Sequence, residues 1–274
     1  MRRLFFNFLS QLNHLKMKKV FGFISLLLLI LSCNRKDSIH PVPYDNPELS
    51  LQIPPGFPAL NNAVNANKPT KYGVELGERL FNEKRFSANN TISCGSCHRQ
   101  SNAFADNNIQ AIGIEDRVGL RNVPPIQNMA FMRFYNWDGN FLQLEKQPLV
   151  PIITHEEMNS SILEVMGKIQ NESAYKDLFR RAFGDENITP DRIYRSLAQY
   201  EYTLISANSK YDKVRRNDGE AFTESEALGY QIFRQKCVSC HSTELLTDQS
   251  FRNVGFPLNL NSSEAGRARV TGTQ

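Results

Sequence analysis

Cys94-Gly95-Ser96-Cys97-His98 and, far downstream, Cys237-Val238-Ser239-Cys240-His241 are the two stretches on which the reading of this chain turns. On one helical turn residues i, i+3 and i+4 share a side, so each quintet presents two thiols and an imidazole to one flat object. A haem suits that arrangement, with its vinyl groups taken up as thioethers and its iron ligated by the imidazole, and C-x-x-C-H is an attachment signal for c-type haem. Three other readings compete. A redox dithiol needs no trailing histidine and usually accompanies a βαβ pattern, which is absent here. A zinc site needs four ligands, and pooling two motifs so far apart makes one compact site unattractive. Two disulfides would leave both histidines unexplained. The repetition favours two covalent haems, on Cys94 and Cys97 and on Cys237 and Cys240, with His98 and His241 as axial iron ligands.

The flanking sequence is helical in pattern. Val74, Leu76, Leu80 and Phe81 give an apolar side to a short helix just before the first motif. Ser161 to Phe183 carries Ile162, Val165, Met166, Ile169, Leu178, Phe179 and Phe183 at spacings near 3.6. Thr189-Pro190-Asp191 supplies an N-cap and an N1 proline for a helix through Leu197, Tyr200 and Leu204. Thr223-x-x-Glu226 is a capping box opening a helix through Leu228, Ile232 and Phe233 toward the second motif. No run alternates with period two for long enough to propose a sheet. The expectation is an all-α protein in two halves with a boundary near residue 205, each half having a helix that leads into a C-x-x-C-H turn.

Outside those halves lies an address. Met17-Lys18-Lys19-Val20, an apolar run from Phe21 to Leu31, and Ser32-Cys33-Asn34 form an export signal too short to span a bilayer. A small residue before Cys33 matches a lipoprotein cleavage site, so Cys33 is the expected acyl anchor and residues 1–32 the signal. An initiating Met17 in place of Met1 would suffice for it. Residues 33–58, rich in proline, form a tether. The formal charge of +4 comes from the signal region: Arg2, Arg3, Lys16, Lys18 and Lys19 are five of the 32 bases, and the remaining 27 face 28 acids. Nucleic acid is thereby excluded as a partner, and the composition excludes collagenous, coiled-coil and wholly disordered chains.

Haem iron has a sixth position, filled by Met or His in a pure electron carrier and left open where chemistry occurs. The methionines stop at Met166, and the residues after His241 contain neither Met nor His.

Between and around the motifs stand Leu76-Gly77-x-x-Leu80-Phe81, Ala103-Phe104-x-Asp106, Arg121-Asn122-x-Pro124, Trp137-Asp138-Gly139, Leu144-Glu145-x-Gln147 and Glu157-Met158. With them, residues 55–274 resemble the bacterial di-haem cytochrome c peroxidases and their MauG-type relatives. The resemblance implies two all-α cytochrome c-like domains: an N-terminal peroxidatic haem domain over 59–205, and an electron-entry haem domain over 206–274 that is incomplete, because the family continues past Gly272. It further implies calcium between the haems with Asn122 as a ligand, Trp137 as the tryptophan lying between the haems, and Gln147 and Glu157 on the open side of the peroxidatic haem. Glu157 would move protons and Gln147 would be its hydrogen-bond partner, whereas His155 reads as structural. Where many members carry a distal histidine this chain has Ile114, which cannot ligate iron, so an open distal site is expected.

The activity implied is cytochrome-c peroxidase: reduction of hydrogen peroxide to water with electrons from a small cytochrome c or cupredoxin, entering at the C-terminal haem. The implied setting is the periplasm, on a membrane through the lipid anchor, with a homodimer as a further expectation. A MauG-type enzyme that oxidises protein side chains, and a di-haem electron carrier without enzymatic activity, are the rival readings.

Overall fold

The computed structural model describes residues 44–253, 255 and 266–272. The signal, Cys33 and the first part of the tether lie outside the described residues. From Tyr44 onward the chain forms one compact unit. Ten α-helices are described: α1 Asn62–Ala66, α2 Lys71–Phe81, α3 Cys94–Cys97, α4 Leu149–Ile153, α5 Ile162–Ile169, α6 Ser173–Phe183, α7 Pro190–Tyr202, α8 Lys210–Arg216, α9 Glu224–Lys236 and α10 Ala268–Thr271. Extended pairing among the described residues is limited to isolated bridges, so the all-α expectation holds.

The caps explain where the long helices begin. Thr70 accepts from the Gly73 amide at the head of α2, and Thr189 from that of Arg192 at the head of α7. Thr223 and Glu226 bond each other's backbone amides in the predicted box, and α9 follows. The run 161–183 is two helices rather than one. Val165 and Ile169 are buried on α5, and Tyr175, Phe179 and Ala182 on α6. The six residues from Ile169 to Tyr175 would put those two groups on different sides of a continuous helix, and the break at 170–172 brings both to the core.

Helices α2 and α7 cross at glycine. A Cβ on Gly77 would lie 2.0 Å from the Ser196 carbonyl oxygen, and one on Gly73 would lie 1.9 Å from Gln199 Oε1. Leu76, Leu80, Phe81, Phe179, Ile193 and Leu197 bury themselves around this crossing, with Cys94 packed against them. A second cluster joins Val64, Phe131, Tyr135, Leu144 and Tyr202. Residues 44–58 form neither helix nor sheet, with one turn at Pro55–Gly56, and the strip is fastened to the body instead of running free. Tyr44 donates to the Ala182 carbonyl at 2.5 Å, and Asn46 to Thr70 Oγ1 at 2.9 Å. Helix α9, though thirteen residues long, has no buried residue; its Tyr230 and Phe233 form a small aromatic cluster with Tyr211 on α8 and Phe222.

Candidate functional site

The first motif is a single turn, closed by the His98 amide donating to the Cys94 carbonyl at 2.9 Å. His98 Nδ1 lies 3.0 Å from the Phe104 carbonyl oxygen. A carbonyl only accepts, so Nδ1 carries the proton and Nε2 keeps its lone pair for a metal. Ala103 and Phe104 both stand in the left-handed region, at φ 57° and 56°, and this turn brings the carbonyl under the ring. Burial lowers the His98 pKa, which favours the neutral, ligating form. Burial pushes the Cys94 and Cys97 thiols up, the opposite of a reactive dithiol.

The second motif repeats the arrangement in the open. Cys237 caps α9, and the His241 amide closes the turn on the Cys237 carbonyl at 3.0 Å. His241 Nδ1 lies 3.1 Å from the carbonyl oxygen of Leu246, again a left-handed residue at φ 56°. Leu228 and Ile232 are 59% and 53% exposed, and Val238 and Phe251 also face solvent. All four thiols are free of disulfides, and among the described residues no group of three or more His, Cys, Asp or Glu could hold a metal ion. The donor sets therefore fit haem, with two thiols and a tautomerically fixed imidazole on each turn, and they fit neither disulfides nor pooled zinc. Asn122, for which the resemblance implies a calcium ion, donates its side-chain amide to the Asn108 carbonyl at 2.6 Å.

The loop Ile112–Gly113–Ile114 connects the first motif to Glu157. Cys97 Sγ lies 3.9 Å from the Ile112 carbonyl oxygen, and the Ile114 amide donates to the Glu157 carbonyl at 3.0 Å. A Cβ on Gly113 would stand 2.0 Å from the Glu156 carbonyl oxygen, so glycine alone allows this approach. Ile114 is 2% exposed. The Glu157 side chain is half-buried; burial first and the Glu156 charge second raise its pKa, and its own charge is felt at both Cys94 and Cys97. Gln147, just before α4, donates to Asn136 Oδ1 at 3.1 Å and makes no hydrogen bond to Glu157. His155 points outward beside Glu156. Trp137 is 52% exposed in a shallow groove with Ile109, Leu120 and Asn122, and its Nε1 donates to the Asn122 carbonyl at 2.9 Å.

Comparison with known proteins identifies this set of sites. The family model of di-haem cytochrome c peroxidase matches residues 71–220. The chain belongs to the di-haem cytochrome c peroxidase family. It is 32% identical to the methylamine utilization protein MauG of Methylophilus methylotrophus over 83% of this chain and 67% of that protein. It is 34% identical to the cytochrome c551 peroxidase of Nitrosomonas europaea over 73% of this chain and 61% of that one. The crystal structure of a MauG-like protein associated with microbial copper homeostasis superposes with a TM-score of 0.65 at 26% identity, covering 76% of this chain and 63% of that chain. The chain spans 44% to 67% of the length of these curated relatives and of the cytochrome c peroxidase of Escherichia coli.

Sequence reasoning missed three features of the site. The Phe104 and Leu246 carbonyls that orient the histidines depend on left-handed backbone at non-glycine residues, which leaves no signal in residue type. Glu201 did leave one, as a carboxyl one turn after the buried Leu197 on α7.

Proposed function

We propose that this member of the family is an exported, lipid-anchored di-haem peroxidase of the periplasm that reduces hydrogen peroxide to water. When bound, haem c at each motif supplies the redox iron: one at Cys94, Cys97 and His98 for peroxide, the other at Cys237, Cys240 and His241 for electron entry from a small cytochrome c or cupredoxin. The observation that carries the reading is the bridge from Cys97 through Ile112–Ile114 to Glu157, which sets a half-buried carboxyl beside the first motif.

Peroxide cleavage needs a group that takes a proton from one oxygen and returns it to the departing one. Glu157 suits the task, because a carboxyl raised above its ordinary range both accepts and releases a proton nearer neutral pH. Gln147, bonded to Asn136, ties the helix before Glu157 to the residue preceding Trp137. Trp137, held by the Asn122 carbonyl, passes electrons from one motif to the other. Ile114 leaves the distal face without a ligating side chain. The same feature supports a second reading, MauG-type oxidation of another protein, since a site without a competing ligand also admits that chemistry.

Steady-state turnover of the holoprotein with hydrogen peroxide and reduced cytochrome c decides between them. Rapid oxidation of the cytochrome supports the peroxidase; peroxide consumption without it favours the MauG-type reading. Ile114 predicts a high-spin signal from the N-terminal haem and cyanide binding without prior reduction, whereas two low-spin haems closed to cyanide would favour the electron carrier.

A further inference from the structure

Glu201 is 6% exposed, in a row with Leu197 one turn earlier on α7 and the partly buried Leu204 just past the helix end, both of which belong to the core against which Cys94 packs. A leucine would complete that row. Around it the polar groups satisfy one another: Asn67 donates to Glu145 Oε1 at 2.8 Å, Tyr202 donates to the same oxygen at 3.3 Å, and Gln199 donates to Asn67 Oδ1 at 2.9 Å. Among the described residues no hydrogen bond reaches the Glu201 carboxyl, so its ionised form is a largely buried charge without a partner, which is costly. The groups within its electrostatic reach are Cys94 on α3, Glu145 before α4, Tyr135 in the loop after residue 131, and Tyr200 on its own helix. None of these is a cation. Burial, reinforced by Glu145, pushes its pKa up to about 8.

We propose that Glu201 is a proton-binding site coupled to reduction of the haem attached at Cys94 and Cys97. The inference rests on that haem being present. In the coupled step the redox-protein donor gives one electron to ferric iron, and one proton from solvent adds to the Glu201 carboxylate to form the neutral acid; reoxidation releases both. The ionised carboxylate stabilises the extra positive charge of the ferric state from this largely buried position, and the neutral acid does not. Glu201 therefore binds its proton more tightly when the iron is reduced. The second motif lies in a different, exposed setting and has no such buried carboxyl among the described residues, so the coupling is assigned to one haem.

Spectroelectrochemical titration of the full-length holoprotein from about pH 6 to about pH 10 tests this. One of the two potentials should fall as pH rises, with at least tenfold tighter proton binding in the reduced form, or about 59 mV. Glu201→Gln should flatten that step and leave the other unchanged. Glu201→Leu, which completes the apolar row, should do the same and serves if the glutamine variant fails to fold. A wild-type pH profile retained in either folded variant overturns the proposal. So do two steps that move equally. If neither variant folds, the reduced-minus-oxidised infrared spectrum of the wild type near pH 8 decides: a protonated carboxyl band gained on reduction supports the site, and its absence overturns it. Haem content separates the two levels of failure, because a protein without haem at Cys94 and Cys97 sinks the haem reading, whereas two haems with flat profiles sink only the role of Glu201.

Discussion

The backbone amide of Ile114 donates a 3.0 Å hydrogen bond to the carbonyl of Glu157. One end of the loop is thus fixed at the Glu157 backbone, while the other end, through Ile112, touches the thiol of Cys97. The loop sets the separation of the carboxyl and the first motif, and Gly113 is the residue that lets it come so close. Gly113→Ala should therefore cost about 1 to 3 kcal/mol as an overpacked contact, because its Cβ would meet two carbonyl oxygens at 2.0 and 2.6 Å. Peroxide turnover should fall while haem content per folded protein is unchanged. Equal stability and rate in the two proteins, by thermal unfolding and steady-state assay, would show that the loop does not hold Glu157.

Glu157 carries the acid-base work in this reading. General acid-base catalysis contributes ~10² to 10⁴ in rate, so Glu157→Gln should slow peroxide turnover by about that factor with both haems retained. Glu156, which only adds charge beside it, should matter much less. A near-normal rate for Glu157→Gln would reduce Glu157 to a half-buried carboxylate with no catalytic part.

Haem content follows from the two turns. Expressed with a haem-attachment apparatus, the wild type should gain the intact mass of two haems, and the double substitution Cys94→Ala, Cys97→Ala should remove one. His241 ligation of the second haem should be lost at lower denaturant than His98 ligation of the first, both haems staying covalently attached, because α9 contributes no buried residue around it. Zinc in place of iron by elemental analysis would contradict the assignment at both turns.

Residue type alone made the helix starts at Thr189 and Thr223 legible, because a side-chain cap is a local device. The break within 161–183 was not, since it answers to where the core lies and is betrayed only by the six-residue step from Ile169 to Tyr175. The haem turns were legible because five adjacent residues carry the chemistry. Glu157 was not legible on spacing: its nearness to Cys97 is made by a loop more than forty residues earlier in the chain, and the family resemblance alone singled it out. Gln147 shows the converse. The resemblance set it beside Glu157 as a hydrogen-bond partner, and its amide bonds Asn136 instead.

Glu83 gives the fold an acid-sensitive contact. Burial alone would raise its pKa, but hydrogen bonds from Arg85 and Tyr175 outweigh that and hold it near 2, from 4.5. The pKa is depressed in the fold, so the stabilisation is fully present above about 4.5 and is lost as pH falls toward 2. Glu83→Gln should leave a protein whose unfolding free energy is lower than wild type at neutral pH and changes less between pH 4.5 and 2. Parallel denaturant curves for the two proteins across that interval would rule out this linkage.

Gly139 joins the Trp137 loop to the last described helix. At φ +62° it stands in the left-handed region, and a Cβ there would lie 2.3 Å from Phe251 Cζ and 2.7 Å from Arg267 Nη1. Arg267 stacks on Phe251 at 3.9 Å and donates to the Asp138 carbonyl at 2.6 Å, so the chain beyond the second motif is seated on the residues that follow Trp137. Gly139→Ala must shift that seat and strain the backbone as well. Since Trp137 is the proposed path between the haems, electron delivery from reduced cytochrome c should slow several-fold. Cyanide affinity of the N-terminal haem should stay at the wild-type value, because the Ile112–Ile114 loop and Glu157 lie outside this contact. Stopped-flow reduction and a cyanide titration on the same preparation check the pair: a slower electron step with unchanged cyanide binding fits a conduit through Trp137, whereas an unchanged electron step would remove the tryptophan from the path.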